Sequence, residues 1–162
     1  MVEYFKIFLK TSNHILKIES DAVAVKVISF VQEIEQDSVY QPEILKIAAG
    51  QLLDFFDGKL QVFDFDLAPE GTEFQKKVWN LLLKIPYGQT WTYADMAHQL
   101  GDPKVIRAAA SANGKNPIAI VIPCHRVIGT NGSLTGYAGG LENKRFLIDL
   151  ENRVANGVME LF

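Results

Sequence analysis

The chain has 162 residues, 48% of them hydrophobic, and a formal net charge of −3. This length fits one domain or two small ones with a sizeable core, and no apolar run approaches the ~18 residues of a transmembrane helix. The N-terminus lacks a signal-peptide pattern, and a single cysteine cannot form an internal disulfide, so we expect a cytoplasmic protein without membrane contact. One cysteine and three histidines without ligand spacing exclude zinc sites of the four-cysteine and two-cysteine types, and we expect no metal and no cofactor.

Charge divides the chain into two parts of opposite sign. Residues 1–71 hold 6 Lys/Arg against 12 Asp/Glu, whereas residues 72–151 hold 9 against 6. A polyanion such as nucleic acid would therefore contact the second part. The positive excess there is small and favours such a partner only weakly.

The first part has the pattern of a small α/β unit. Residues 4–9, 15–20 and 22–31 are rich in β-branched and aromatic residues and are separated by polar breaks, which predicts three strands in an antiparallel meander. Pro42 opens a helical pattern that Gly58 ends, and residues 60–63 suggest one more short strand. No catalytic constellation stands out here, so we assign this part a supporting role.

A capping box predicts the helix that opens the second part. Thr72 and Gln75 have its spacing, and apolar residues then recur at helical intervals until residues 86–88 (Pro-Tyr-Gly) stop the pattern. Trp79 lies among them and is expected in the core.

Two short helices joined by a tight turn are predicted next. Thr92 is expected to cap a helix that ends near Leu100, with Gly101 just past its end. Asp102 and Pro103 fit the cap and first turn of a second helix. This arrangement resembles a helix-turn-helix, although many helical pairs look alike.

The second of these helices carries one long cation among small side chains. At helical spacing, one face presents Arg107, Ala110, Ser111 and Gly114. A helix face without bulky side chains can lie close to a DNA groove, or it can pack tightly against another helix. Arg107 favours the first alternative, because an arginine is rarely buried without a partner.

The only cysteine follows an apolar run. Residues 118–122 (Ile-Ala-Ile-Val-Ile) predict a buried strand or extended segment, and Pro123 should end its pairing. Cys124 would then face a pocket at the end of a buried wall, with His125 beside it. The alternative is an inert buried cysteine, and the residue types alone leave both open.

Residues 123–129 (Pro-Cys-His-Arg-Val-Ile-Gly) resemble the acceptor-site motif of the O6-alkylguanine-DNA alkyltransferases, which move an alkyl group from a damaged base onto their own cysteine. The resemblance covers residues 72–151 and includes a helix similar to the family's Phe-Gln-x-x-Val-Trp segment. It implies an α+β fold with three parts: a small ribonuclease H-like N-terminal α/β domain with an antiparallel meander (1–68), a mostly helical C-terminal domain with a winged/helix-turn-helix motif (72–152), and a tail (153–162).

The resemblance also implies roles in the chemistry. Cys124 would be the nucleophile and alkyl acceptor, and His125 the base. Glu151 would orient His125, and Tyr93 would protonate the departing guanine. Together these residues follow the logic of nucleophile, base and orienting group.

The same resemblance places the DNA contacts. Guanine O6 lies inside the base stack, so a thiol can reach it only when the base is extruded. Arg107 would enter the space that the nucleotide leaves, with Ala110, Ser111 and Gly114 along the groove. The substrate pocket is implied at Asn116, Val127, Tyr137 and Ala138. Lys144 and Arg145 are expected to contribute only surface charge.

The function expected from this resemblance is DNA repair by direct reversal. A monomer would transfer the alkyl group of O6-alkylguanine in double-stranded DNA to Cys124, once and irreversibly, after nucleotide flipping; O4-alkylthymine is a second candidate substrate. Two alternatives are a lesion-binding module without transfer and a Cys–His hydrolase. The first type lacks the acceptor cysteine that this chain has, and adjacent Cys-His is not the usual layout of the second.

Overall fold

The computed structural model describes residues 2–157 and divides into two compact units. The first comprises the described residues up to Glu70 together with Pro117–Ala119, and the second comprises Gly71–Asn116 with the described residues from Ile120 onward. Strands and helices combine into an α+β fold, as predicted. No helix in the described part has the length and apolar character needed to cross a bilayer.

A three-stranded antiparallel sheet covered by one helix forms the first unit. Strands β1 (Phe5–Lys10), β2 (Ile15–Ser20) and β3 (Val25–Val31) pair in sequence order, which confirms the predicted meander. Alternate residues of β2 are buried, and helix α1 (Glu43–Phe56) buries an apolar stripe: Leu45, Ala48, Leu52 and Phe55. The two periods, two in the strand and about 3.6 in the helix, explain why this unit could be predicted from its sequence.

The strand predicted at residues 60–63 does not form. Phe63 instead packs its ring on Phe55, with centroids 5.4 Å apart, and Val62 is 77% exposed. Backbone pairing with the sheet occurs further on: Val25 N–H donates to Asp66 O (2.9 Å), and Ala68 N–H donates to Val25 O (2.8 Å). The aromatic contact, rather than a sheet edge, accounts for the apolar pattern.

The described part of the second unit contains four α-helices, two short 3₁₀ helices and a two-stranded sheet. Helix α2 (Glu73–Leu82) starts at the predicted capping box, in which Gln75 N–H donates to Thr72 Oγ1 (3.1 Å) and Thr72 N–H to Gln75 Oε1 (2.9 Å). The other elements are β4 (Trp91–Thr92), α3 (Tyr93–Gln99), α4 (Ile106–Gly114), β5 (Val127–Ile128) and α5 (Leu141–Asn156). The indole N–H of the buried Trp79 donates to Ala112 O (2.9 Å) and fixes α2 against α4.

A 3₁₀ turn precedes α4. Asp102 caps it as predicted, with its carboxylate accepting from Lys104 N–H (2.9 Å), but residues Pro103–Val105 form a 3₁₀ helix and the α-helix begins at Ile106. Helices α3 and α4 pack against each other, so the predicted pair of short helices is present.

The apolar run before Cys124 is buried but is not a strand. Only its start pairs: Ile118 forms an isolated bridge with Ile28, in which Ala119 N–H donates to Ile28 O (2.9 Å). The chain then turns, and Ile120 has φ 74°, in the left-handed region that a β-branched side chain rarely adopts. That conformation, followed by Pro123, prevents further pairing, so the predicted extended segment is wrong beyond Ile118.

Candidate active site

Cys124 is the first residue of a 3₁₀ helix, Cys124–Arg126, and its thiol is free. Asn116 supports the preceding turn, because its side-chain amide donates to Ile122 O (2.8 Å). Burial raises the pKa of the Cys124 thiol, and a hydrogen bond with the Asn116 side chain and the charge of Lys144 oppose that rise without cancelling it. The resting sulfur is therefore protonated at neutral pH, and nucleophilic attack requires a proton acceptor.

A buried network of one carboxylate, one imidazole and one guanidinium adjoins the cysteine. His125 Nε2 lies 2.7 Å from Glu151 Oε2. Arg126 donates two hydrogen bonds to the same carboxylate, from Nε to Oε1 (2.7 Å) and from Nη2 to Oε2 (2.8 Å). Its Nη1 donates to Ile85 O (2.8 Å). Burial alone would raise the pKa of Glu151, but His125 and Arg126 outweigh it and lower the value to about 2.

This network fixes which nitrogen of His125 can accept a proton. An ionised carboxylate only accepts hydrogen bonds, so Nε2 carries the hydrogen and Nδ1 of a neutral ring is the acceptor. Nδ1 is buried and makes no hydrogen bond with any residue in the described range 2–157. Glu151 thus orients an imidazole whose basic nitrogen is unengaged within that range.

Tyr93, the first residue of α3, is connected to Cys124 through Asn113. The Asn113 amide donates to the Tyr93 hydroxyl at 3.4 Å and to Cys124 O at 3.5 Å. Burial raises the pKa of Tyr93, so its hydroxyl keeps a proton that it can donate. Asn113 is 2% exposed, and only its position on the inner face of α4 could have indicated this contact from sequence.

The loop before α5 also reaches the sulfur. Burial is the main reason that the pKa of Tyr137 lies well above its ordinary value, and the nearby Cys124 and Glu151 raise it further. Ala138, next to it, is exposed. Val127 is fully buried in β5.

Comparison with known proteins identifies the family. Residues 73–153, which include every residue of the site described above, match the family described as "6-O-methylguanine DNA methyltransferase, DNA binding domain". The methylated-DNA–protein-cysteine methyltransferase of Methanosarcina acetivorans is 48% identical over 91% of this chain and 97% of that protein. The chain belongs to this family.

Solved structures agree with that assignment. The crystal structure of the Mycobacterium tuberculosis O6-methylguanine methyltransferase superposes with a TM-score of 0.85 at 37% identity, over 97% of this chain and 98% of that one. A structure of M. tuberculosis OGT in complex with DNA gives a TM-score of 0.81 at 40% identity, over 94% of both chains. The methyltransferase fold therefore covers both units of this chain.

The family's DNA-binding domain contains the predicted contact face on α4. Arg107, Ser111 and Gly114 are exposed, Ala110 is partly exposed, and the opposite side of the helix is buried. A Cβ atom added at Gly114 would meet open space, so the glycine is not needed for packing within the chain. The small side chains therefore leave a smooth outer surface around one cation.

The prediction that Lys144 contributes only surface charge is wrong. It is fully buried rather than on the surface, and its Nζ donates to Thr135 O (2.8 Å). Burial lowers the pKa of Lys144 to about 8, with Cys124 acting in the opposite direction. The spacing of 144, 147, 148 and 151 puts it on the buried face of α5 together with Glu151, and that signal was available in the sequence.

Proposed function

We propose that this chain repairs DNA by direct reversal, transferring the alkyl group of O6-alkylguanine to its own Cys124 in one irreversible turnover. The observation that carries the proposal is a free cysteine adjacent to a bonded His125–Glu151 pair, within the segment that matches the family. O4-alkylthymine is a second candidate substrate of the same chemistry. The protein acts as a monomer.

The proposed reaction needs no cofactor. His125 takes the thiol proton at Nδ1, directly or through a water, and the Cys124 thiolate attacks the alkyl carbon. As the sulfur–carbon bond forms, the bond from that carbon to O6 breaks and its electron pair passes to the guanine. Tyr93 then donates its proton to the guanine. The product is a thioether, a stable bond, which limits each molecule to one turnover.

The proposed DNA contact follows from the position of guanine O6. The α3–α4 pair serves as a helix-turn-helix, within a winged arrangement, that lays the outer face of α4 along the duplex. Extruding the base costs a few kcal/mol of stacking and pairing. Arg107 occupies the vacated space and offsets part of that cost, while Ala110, Ser111 and Gly114 allow close approach. The first unit, proposed to be ribonuclease H-like, supports this domain.

The substrate pocket is proposed to lie beside the sulfur. Tyr137 packs on the extruded base, while the backbone of Ala138 and of Val127 reads its polar edge. Asn116 keeps the turn that presents Cys124, through its bond to Ile122 O.

Mass spectrometry tests the transfer directly. The protein is incubated with a duplex that carries one O6-methylguanine, and with a matched duplex that carries guanine. We expect one added methyl group on the peptide that contains Cys124, with the damaged duplex only. Cys124→Ala should show no added methyl group and should still retain the damaged duplex. If the wild type binds the damaged duplex without gaining a methyl group, the chain is a lesion-binding module and the transfer proposal is wrong.

A further inference from the structure

Lys144 is a buried cation to which the proposed reaction gives no role. It lies on the inner face of α5 with no exposed surface, and no ion pair joins it to a carboxylate within residues 2–157. An ammonium group loses several kcal/mol of hydration when it is buried, so a neutral side chain of similar length would stabilise the fold more. Because burying this charge destabilises the fold, we expect Lys144 to have a role in the adjacent site.

The one hydrogen bond described for the Lys144 ammonium group goes to the backbone of the loop that precedes α5. Its Nζ donates to Thr135 O at 2.8 Å. The same loop brings Tyr137 near Cys124 and the Thr135 side chain near the Tyr93 hydroxyl. Thr135 therefore lies between Lys144 on α5, which bonds to its carbonyl, and Tyr93 on α3, which lies near its side chain.

We propose that Lys144 is a positioning residue that latches residues 133–140 across Cys124 and supplies the positive charge that the thiolate needs. The latch acts through the Thr135 carbonyl, so it sets the position of Tyr137 and of the loop side chain next to Tyr93. The inference adds a residue to the site proposed above, and its role in repair depends on that proposal.

The positive charge of Lys144 would stabilise the Cys124 thiolate when the thiol loses its proton. Within residues 2–157, the titratable and charged groups described around the sulfur are Tyr93, His125, Arg126, Tyr137, Lys144 and Glu151. The Glu151 carboxylate is already bonded to His125 and Arg126. Lys144 therefore remains the cation without a carboxylate partner among these groups, and ionisation of Cys124 would provide its counter-charge. Opposite charges in a low-dielectric interior attract strongly, which favours the thiolate.

Because Cys124 is the only cysteine, a thiol reagent reports its ionisation without any DNA. The rate of labelling by iodoacetamide is measured against pH for wild type, Lys144→Met, Lys144→Arg and Arg145→Met, the last being an exposed neighbour on the same helix. We expect the midpoint of the profile to rise in Lys144→Met, with labelling at pH 7 about tenfold slower for each unit of rise. Lys144→Arg should restore most of the rate, and Arg145→Met should match wild type.

Hydrogen exchange tests the latch separately. Amide hydrogens of residues 133–140 should exchange faster in Lys144→Met than in wild type or Arg145→Met, because Thr135 O loses its donor. Denaturant unfolding of Lys144→Met should show a midpoint no lower than that of wild type, since the variant removes a buried charge. Unchanged exchange in Lys144→Met overturns the latch, and an unchanged labelling profile overturns the electrostatic part.

Transfer kinetics then connect the latch to repair. Lys144→Met should lower the rate of methyl transfer at saturating damaged duplex, with little change in affinity for that duplex. A loss of affinity with an unchanged transfer rate would contradict a positioning role at the sulfur. Labelling and exchange use no DNA, so failure of wild-type transfer would refute the proposed function and leave the latch to be judged by those two measurements.

Discussion

At the scale of single residues, one carboxylate determines the state of the active-site imidazole. Glu151 receives hydrogen bonds from both His125 and Arg126, and the three side chains are buried together. A buried charge with one partner missing is strongly destabilising, often by 3–5 kcal/mol. Arg126 therefore stabilises the charge of Glu151, and Glu151 in turn fixes the Nδ1 acceptor of His125.

The acid stability of the fold should depend on Glu151. Its pKa is lowered from 4.5 to about 2 in the folded chain, so its contribution is present above about pH 4.5 and is lost as pH falls toward 2. We expect Glu151→Gln to lower the free energy of unfolding by about 3 kcal/mol at neutral pH, and this difference should shrink toward zero near pH 2. Urea unfolding of both proteins between pH 2 and 7 measures it. Glu142→Gln, on the exposed first turn of α5, should follow the wild-type curve; parallel curves for Glu151→Gln would contradict the assignment.

Some residues of this site can be predicted from the sequence, and others are recognised only in the folded structure. Cys124 and His125 stand together in one short motif, and the resemblance of that motif to the family's acceptor site is what proposes their roles. Asn113 and Lys144 come from separate helices, and their contacts with Tyr93, Cys124 and Thr135 exist only after the chain has folded. A lysine is usually exposed, and that general tendency led to the wrong prediction at Lys144.

At the scale of elements, two helices start with the same cap but in different surroundings. Thr72 and Thr92 each accept a hydrogen bond from the residue three positions later, at 3.1 and 3.0 Å, and each is part of a capping box. Helix α2 packs against α4 and carries no residue of the proposed site, whereas the cap of α3 fixes the backbone next to Tyr93, the first residue of that helix. The same substitution should therefore have the same effect on stability at both caps and different effects on activity.

Thr72→Ala and Thr92→Ala should each lower the free energy of unfolding by about 1 kcal/mol, because each leaves a helical N–H without its side-chain acceptor. Transfer to Cys124 should keep its wild-type rate in Thr72→Ala and should be several-fold slower in Thr92→Ala, since a small displacement of Tyr93 misplaces the proton donor. Denaturant unfolding and single-turnover transfer are measured on both variants. Equal transfer rates in the two variants would show that the α3 cap does not position Tyr93.

Local sequence predicts the helix caps and some of the strands, but not the segments whose structure depends on contacts with other parts of the chain. The capping box at Thr72, the cap at Thr92 and the three strands are predicted from short stretches of sequence and are confirmed. The strands predicted at residues 60–63 and 118–122 are wrong, because distant contacts decide those segments. Phe63 packs on Phe55, and the chain turns at Ile120 with a positive φ that apolar periodicity cannot indicate.

At the scale of the whole molecule, the part proposed to bind DNA and the part proposed to support it carry net charges of opposite sign. Residues 72–151 carry a positive excess although the chain is acidic overall. Lys104 is exposed in the 3₁₀ turn that precedes α4, and Lys115 is exposed directly after α4, so the two lysines lie at opposite ends of the helix that carries Arg107. Lys46 and Lys59 are exposed in the acidic first part.

The salt dependence of DNA binding should distinguish these two pairs of lysines. A contact between a lysine and a phosphate releases a counterion, and each contact adds about 0.9 to the slope of log affinity against log salt. We expect Lys104→Gln and Lys115→Gln each to reduce that slope by about 1, for damaged and undamaged duplex alike, because phosphates carry no sequence information. Lys46→Gln and Lys59→Gln provide the matched controls and should leave the slope unchanged. Fluorescence anisotropy with a labelled duplex over a series of salt concentrations measures all four. A smaller slope in the controls as well would mean that net charge, rather than the surface around α4, governs binding.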